Sequence, residues 1–203
     1  MNTKTQKRRL QIIEDAIQVL VEEGYANASI GNIAKKGGIS KGVVTYHFPN
    51  KLQLMKAVVE HSYGLAAPYM EKFMDGLDSA PATLRAYIES NLRFMYEHRK
   101  YVTAIIEVVS NLRTESGDLF YQNEDESIYE PLIEIFKWGQ EIEGSFREFS
   151  PQIMARTVRS VIDSLGPKIA NHDISDIECA ISEIADTFDY ATRKTPKTIG
   201  GLS

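Results

Sequence analysis

Cysteine is almost absent from this 203-residue chain; Cys179 is the only one. A single thiol excludes an internal disulfide framework and any multi-cysteine zinc site. Histidine is scarce as well, and His47, His61, His98 and His172 show no metal-ligand spacing. Long apolar runs are missing: the most apolar stretch, VTAIIEVV at 102–109, falls far short of the roughly 20 residues that span a bilayer. No apolar segment follows the basic start MNTKTQKRR, so no secretory signal and no membrane association are expected, and a cytoplasmic location is the default. Glycine-rich phosphate loops, G-x-S-x-G and H-E-x-x-H are all absent, so the sequence points away from an enzyme and calls for no cofactor and no metal.

Acidic residues are few at one end. Residues 1–56 hold nine Lys/Arg against four Asp/Glu, a balance of +5, while the remainder holds fourteen basic and twenty-four acidic side chains, a balance of −10. Such a split suggests a segment that faces a polyanion joined to one that does not. Because screening acts over about 8 Å at physiological salt, the local positive charge outweighs the distant acids. A solvated basic face without a partner is the competing reading of charge alone.

Apolar residues recur at helical spacing almost throughout, which predicts an all-α protein. Leu10, Ile13, Ile17, Leu20 and Val21 define a first helix that stops at Gly24. Ser29 suits the N-cap of a short second helix ending at Gly37-Gly38, and Ser40 that of a third over about 41–48, stopped by Pro49-Asn50. Three helices in some fifty residues, with a glycine turn between the last two, is the spacing of a helix-turn-helix. A fourth helix follows from near Asn50 without a flexible linker, and Gly64 with Pro68 predicts a kink in it. Further helices are expected over 81–99 and 101–112, then one through Phe136 and Trp138. Two last helices are expected to turn Ile153, Val158, Val161, Ile162 and Leu165, then Ile177, Ala180, Ile181, Ile184 and Phe188, inward. Residues 193–203 read as a disordered tail.

The stretch GGISKGVVTYHFPNK (37–51) suits the second helix of a helix-turn-helix, whose N-terminal residues reach base edges in the major groove. Val44 and Phe48 share an inward face. Gly42 lets the backbone approach phosphates closely. Lys41, Thr45 and Tyr46 project from other faces, and His47 and Lys51 lie near the exit, within reach of a phosphate. Ser29, at the start of the second helix, and Ser40 complete the candidate DNA contacts.

Residues 29–59, SIGNIAKKGGISKGVVTYHFPNKLQLMKAVV, resemble the DNA-binding segment of the TetR family of bacterial repressors, at Ser29, Ile33, Ala34, Gly38, Ser40, Gly42, His47, Phe48, Lys51 and Leu54. Two positions depart from that family's pattern. Val44-Thr45 stands where Leu-Tyr is usual, so the shorter Thr45 is positioned for a base edge or thymine methyl and operator preference does not carry over. Gly37 stands where alanine is common, which predicts a slightly looser end to the second helix.

The resemblance implies a helix-turn-helix DNA-binding domain at 1–50 and a larger helical ligand-binding and dimerisation domain at 51–192. It implies a repressor that binds a palindromic double-stranded operator as a homodimer and answers to a small-molecule effector. The last two helices would pair with their copies, through Val158, Val161, Ile162, Leu165, Ile177, Ile181, Ile184 and Phe188, although an intramolecular core explains those apolar stripes equally well. Tyr63, Phe94, Glu107, Tyr129 and Trp138 are candidates for a pocket taking a hydrophobic or cationic effector. Glu107 draws attention because it interrupts the apolar run AIIEVV, and solvent exposure explains it equally well. Effector binding is expected to shift the fourth helix and so the spacing of the recognition helices. The competing reading is an architectural or partner-recruiting DNA-binding factor with no effector.

Overall fold

Ser29 and Ser40 both stand in extended backbone, and each side-chain oxygen accepts the amide three residues on, from Asn32 at 3.1 Å and from Val43 at 3.3 Å. These caps satisfy amides that the first turn of a helix leaves unpaired and start two seven-residue helices. In the computed structural model, which describes residues 3–121 and 126–194, the order is α1 (Thr3–Asn27), α2 (Ile30–Lys36), α3 (Lys41–His47), α4 (Lys51–Met74), α5 (Ala80–Glu97), α6 (Arg99–Asn111), α7 (Glu130–Lys137), α8 (Pro151–Ala170) and α9 (Ile177–Thr192). A 3₁₀ turn at Glu126–Tyr129 leads into α7, and a π-helical turn at Trp138–Ile142 follows it. The described residues contain only two isolated β-bridges and no strand, so the all-α expectation holds. No described helix is long and apolar enough to cross a membrane.

The first-helix stop falls at Gly24, where φ is +76°, a conformation that favours glycine. The chain then makes one further turn to Asn27. Asn50 starts α4 by accepting the Gln53 amide at 2.9 Å. α4 runs unbroken through Pro68 to Met74.

Two compact units result, residues 1–68, 94–124 and 165–174 forming one and 69–93, 125–164 and 175–203 the other. The first is built on Ile12, Ala16, Ile17 and Leu20 of α1, Ile33 of α2, Val44 and Phe48 beside α3, Leu54, Met55 and Val58 of α4, and Ala104 and Val108 of α6, all buried. α1 packs along α6 and against α2, and α2 against α3. Leu10 and Val21, two of the apolar residues that mark the first helix, are 46% and 40% exposed.

The second unit buries Leu84, Tyr87 and Ile88 of α5, Leu132 and Phe136 of α7, Val158 and Ile162 of α8, and Ile181 and Phe188 of α9. Glu143 accepts the Ala80 amide at 2.9 Å, and Arg147 donates to the Ala191 carbonyl at 2.7 Å. Arg193 pairs with Phe146 in one of the two bridges, and Lys194 donates to the Ser145 carbonyl at 2.8 Å. The rest of the expected disordered tail lies outside the described residues.

Candidate nucleic-acid interface

Val44 and Phe48 are buried, 0% and 1% exposed, and they fix which way α3 faces. Lys41, Gly42, Thr45 and Tyr46 are therefore on the solvent side, Tyr46 at 79% exposure. The Thr45 hydroxyl donates to the Gly42 carbonyl at 3.2 Å, which fixes its rotamer along the helix. The Lys41 tail runs back against Gly31 in the first turn of α2. His47 is half-buried, with its ring edge-on to Tyr46 at 5.1 Å between centroids. Sequence from Gly24 to Val59 contains no Asp or Glu, so no acid of this segment opposes the lysines.

Lys51 is held differently from the other site residues. Its ammonium donates to the Tyr25 carbonyl at 2.7 Å and lies 3.8 Å from the centre of the Tyr25 ring. Burial lowers its pKa and also raises that of Tyr25. An ammonium has three donors, so this bond leaves others for a phosphate.

Charge counting registered Lys4, Lys7 and Arg8, but nothing in the sequence placed them at the recognition helix. They do lie there: with Thr5, Gln11, Tyr46 and His47 they line an open cleft of about 480 Å³ between α1 and the end of α3. Lys4 is electrostatically awkward: the first turn of α1 has no acid, and a cation there costs about 0.3–1 kcal/mol against the helix dipole. Local violations of this kind cluster at functional sites. Arg9, next in sequence, is used internally: it donates to the His47 carbonyl at 3.1 Å and stacks 4.1 Å over the Phe48 ring.

Gly37 has a role the sequence did not suggest: a β-carbon there would sit 2.3 Å from Oδ2 of Asp15, a residue only 7% exposed. The glycine makes room for a buried carboxylate of α1.

Of the candidate effector residues, Tyr63, Phe94 and Glu107 fall in the first unit and Tyr129 and Trp138 in the second. Phe94 and Tyr129 are 5% exposed and belong to the packed interior. The Glu107 carboxylate is engaged within the first unit, accepting the Tyr25 amide at 2.7 Å. Asn91, 6% exposed, and Arg159 form a polar pair at 3.2 Å inside the second unit, which the aromatic spacing did not reveal.

The dimer candidates need a larger correction. Val158, Ile162, Ile177, Ile181 and Phe188 are at most 8% exposed, so their side chains face the protomer's own core. Val161, Leu165 and Ile184 are half-buried. The solvent side of α8 instead carries Ile153, 68% exposed where an inward residue was expected, with Arg156, Thr157, Ser160, Val161 and Ser164 around a shallow groove of about 530 Å³.

Two short capped helices, the second anchored by two side chains and presenting its polar tips, define a helix-turn-helix protein. A sequence model of the bacterial regulatory proteins of the tetR family matches residues 12–58. The HTH-type transcriptional regulator YerO of Bacillus subtilis (strain 168) is 26% identical over 159 residues, 75% of this chain and 53% of that one. BetI of Ectopseudomonas mendocina (strain ymp) is 34% identical over 86 residues, 41% of this chain and 44% of that one. The matched stretch thus spans about half the length of these curated relatives. The fatty acid degradation regulator FadR from Bacillus halodurans shares the fold, with a TM-score of 0.75 at 18% identity over 95% of this chain and 98% of that one. A transcriptional regulator from Saccharomonospora viridis, solved in complex with choline, does so at 0.73 and 20% identity, over 94% and 100%. Residues 12–58 thus carry the sequence pattern of the tetR family of bacterial regulatory proteins, and the helical fold over most of the chain is shared with solved regulators.

Proposed function

We propose that this chain is a cytoplasmic, effector-responsive transcriptional repressor that binds a palindromic operator as a homodimer. In this reading residues 1–50 read DNA, while 51–192 bind the effector and dimerise. The observation that carries it is the exposure of Lys41, Thr45 and Tyr46 on a helix held down by Val44 and Phe48. Ser29, Ser40, Gly42, His47 and Lys51 contribute the surrounding contacts, and Lys4, Lys7 and Arg8 extend the positive surface toward a flanking phosphate strand.

Dimerisation supplies what one seven-residue helix lacks, since two copies about a helical turn apart multiply both affinity and specificity. The exposed α8 face around Ile153 and Val161, with Ile184 of α9, is the proposed contact. The effector is small and hydrophobic or cationic; choline in the Saccharomonospora viridis protein and the fatty acid link of FadR support that range. Its coupling to DNA runs through α4 and amounts to about 1–3 kcal/mol, the usual range for allosteric sites.

Footprinting of the full chain on its own upstream DNA, with and without a panel of cationic and hydrophobic compounds, tests the reading. One or a few palindromic protected sites, released by a compound, support it. Broad coverage unaffected by any compound replaces it with an architectural factor, and no protection overturns it.

A further inference from the structure

Tyr25 is bracketed by two charged side chains from different helices. Gly24 takes the chain out of α1, so the Tyr25 amide leaves the helical ladder and needs another acceptor. Glu107 of α6 supplies it, with Oε2 at 2.7 Å. On the other side, Lys51 at the start of α4 donates to the Tyr25 carbonyl at 2.7 Å and covers its ring at 3.8 Å. One peptide segment thereby joins α6 to the lysine assigned to DNA.

The Glu107 carboxylate faces the break in α1 at Gly24, where the Tyr25 amide opens the following turn. Its placement is explained by what it holds: a charge-assisted hydrogen bond to a backbone amide is short and directional, and it fixes the peptide that Lys51 grips.

We propose that Glu107 is a positioning residue for DNA binding, acting through Tyr25 to hold the Lys51 ammonium where its remaining protons meet a phosphate. This rests on the reading that Lys51 contacts DNA. Any movement of α6 that pulls Glu107 from the Tyr25 amide releases Lys51, so the position of α6 sets the strength of that contact.

A mutant cycle in the full chain tests it, with affinity for a non-specific duplex of fixed length measured over a salt series and thermal melting followed in parallel. Lys51→Met is expected to weaken binding and to lower the salt slope by about one, the loss of one phosphate contact. Glu107→Ala should do the same, by about tenfold at moderate salt, and the double variant should be no worse than Lys51→Met alone. Glu107→Gln keeps an oxygen for the Tyr25 amide and should restore wild-type binding, whereas a role through charge alone would make both Glu107 variants bind DNA more tightly. Multiplicative losses in the double variant, an unchanged salt slope for Glu107→Ala, or tighter binding by both Glu107 variants overturns the proposal while leaving Lys51 on DNA. Wild-type binding and slope for Lys51→Met overturns it together with the Lys51 assignment.

Discussion

A β-carbon on residue 37 would lie 2.3 Å from Oδ2 of Asp15, closer than any real contact allows. The backbone of Gly37, with φ −77° and ψ −1°, suits any residue, so proximity and not conformational freedom requires the glycine. Asp15 is 7% exposed, and its Oδ2 has no hydrogen-bond partner among the described residues. Gly37→Ala should therefore destabilise the protein by about 1–3 kcal/mol, the cost of overpacking. In an Asp15→Ala background the cost should fall below about 1 kcal/mol, because the clash is gone and a less flexible unfolded chain favours alanine. Urea denaturation of the four proteins checks this.

Adjacent arginines should separate structure from DNA contact. Arg9 ties α1 to the end of α3 through the His47 carbonyl and the Phe48 ring, so Arg9→Ala should cost about 1–2 kcal/mol of stability. Arg8 lines the basic cleft and is exposed. Arg8→Ala should leave stability within about 0.5 kcal/mol and reduce the salt dependence of DNA binding.

That contrast shows where the sequence is legible. Ser29, Ser40, Gly24 and Asn50 announce helix boundaries because capping and positive φ are local effects, and the helical period of Ile13, Ile17 and Leu20 marks the core face. Arg8 and Arg9 look alike in sequence, since only tertiary packing decides which meets Phe48. Glu107 likewise stands out as a charge among apolar residues, but its partner, the Tyr25 amide, is 82 residues away. The stripes of α8 and α9 were ambiguous because an apolar face reads the same whether it meets its own protomer or a copy. Burial of Val158 and Ile181, beside exposure of Ile153, resolves that ambiguity for the protomer.

Glu14 gives a pH dependence of known sign. Burial opposes its ionisation, but hydrogen bonds from Lys100, His61 and Tyr101 outweigh that and hold its pKa below the ordinary value. A lowered folded pKa stabilises the fold above the unfolded value, and that contribution disappears as pH falls through the folded one. Glu14→Gln should lower Tm at neutral pH, and the difference from wild type should begin to shrink as pH falls below the ordinary glutamate value of about 4.3 and vanish only below the lowered folded value. A difference that persists unchanged in acid would show that ionisation of Glu14 contributes nothing.

The two faces of α8 should respond oppositely to substitution. Ile153→Glu, on the exposed face, should shift sedimentation toward monomer and make Tm independent of protein concentration. Val158→Ala, inside the core, should cost about 1–3 kcal/mol through lost burial and the cavity left behind.

The most direct measurement is the affinity of the full chain for its footprinted duplex beside that of Lys41→Ala and Tyr46→Ala, with thermal melts of all three proteins. Each variant should bind at least about tenfold more weakly, as expected when a base or phosphate contact worth about 1–3 kcal/mol is lost, while melting with the wild type. Wild-type affinity in both variants, with the fold intact, would contradict the assignment of α3 as the helix that reads DNA.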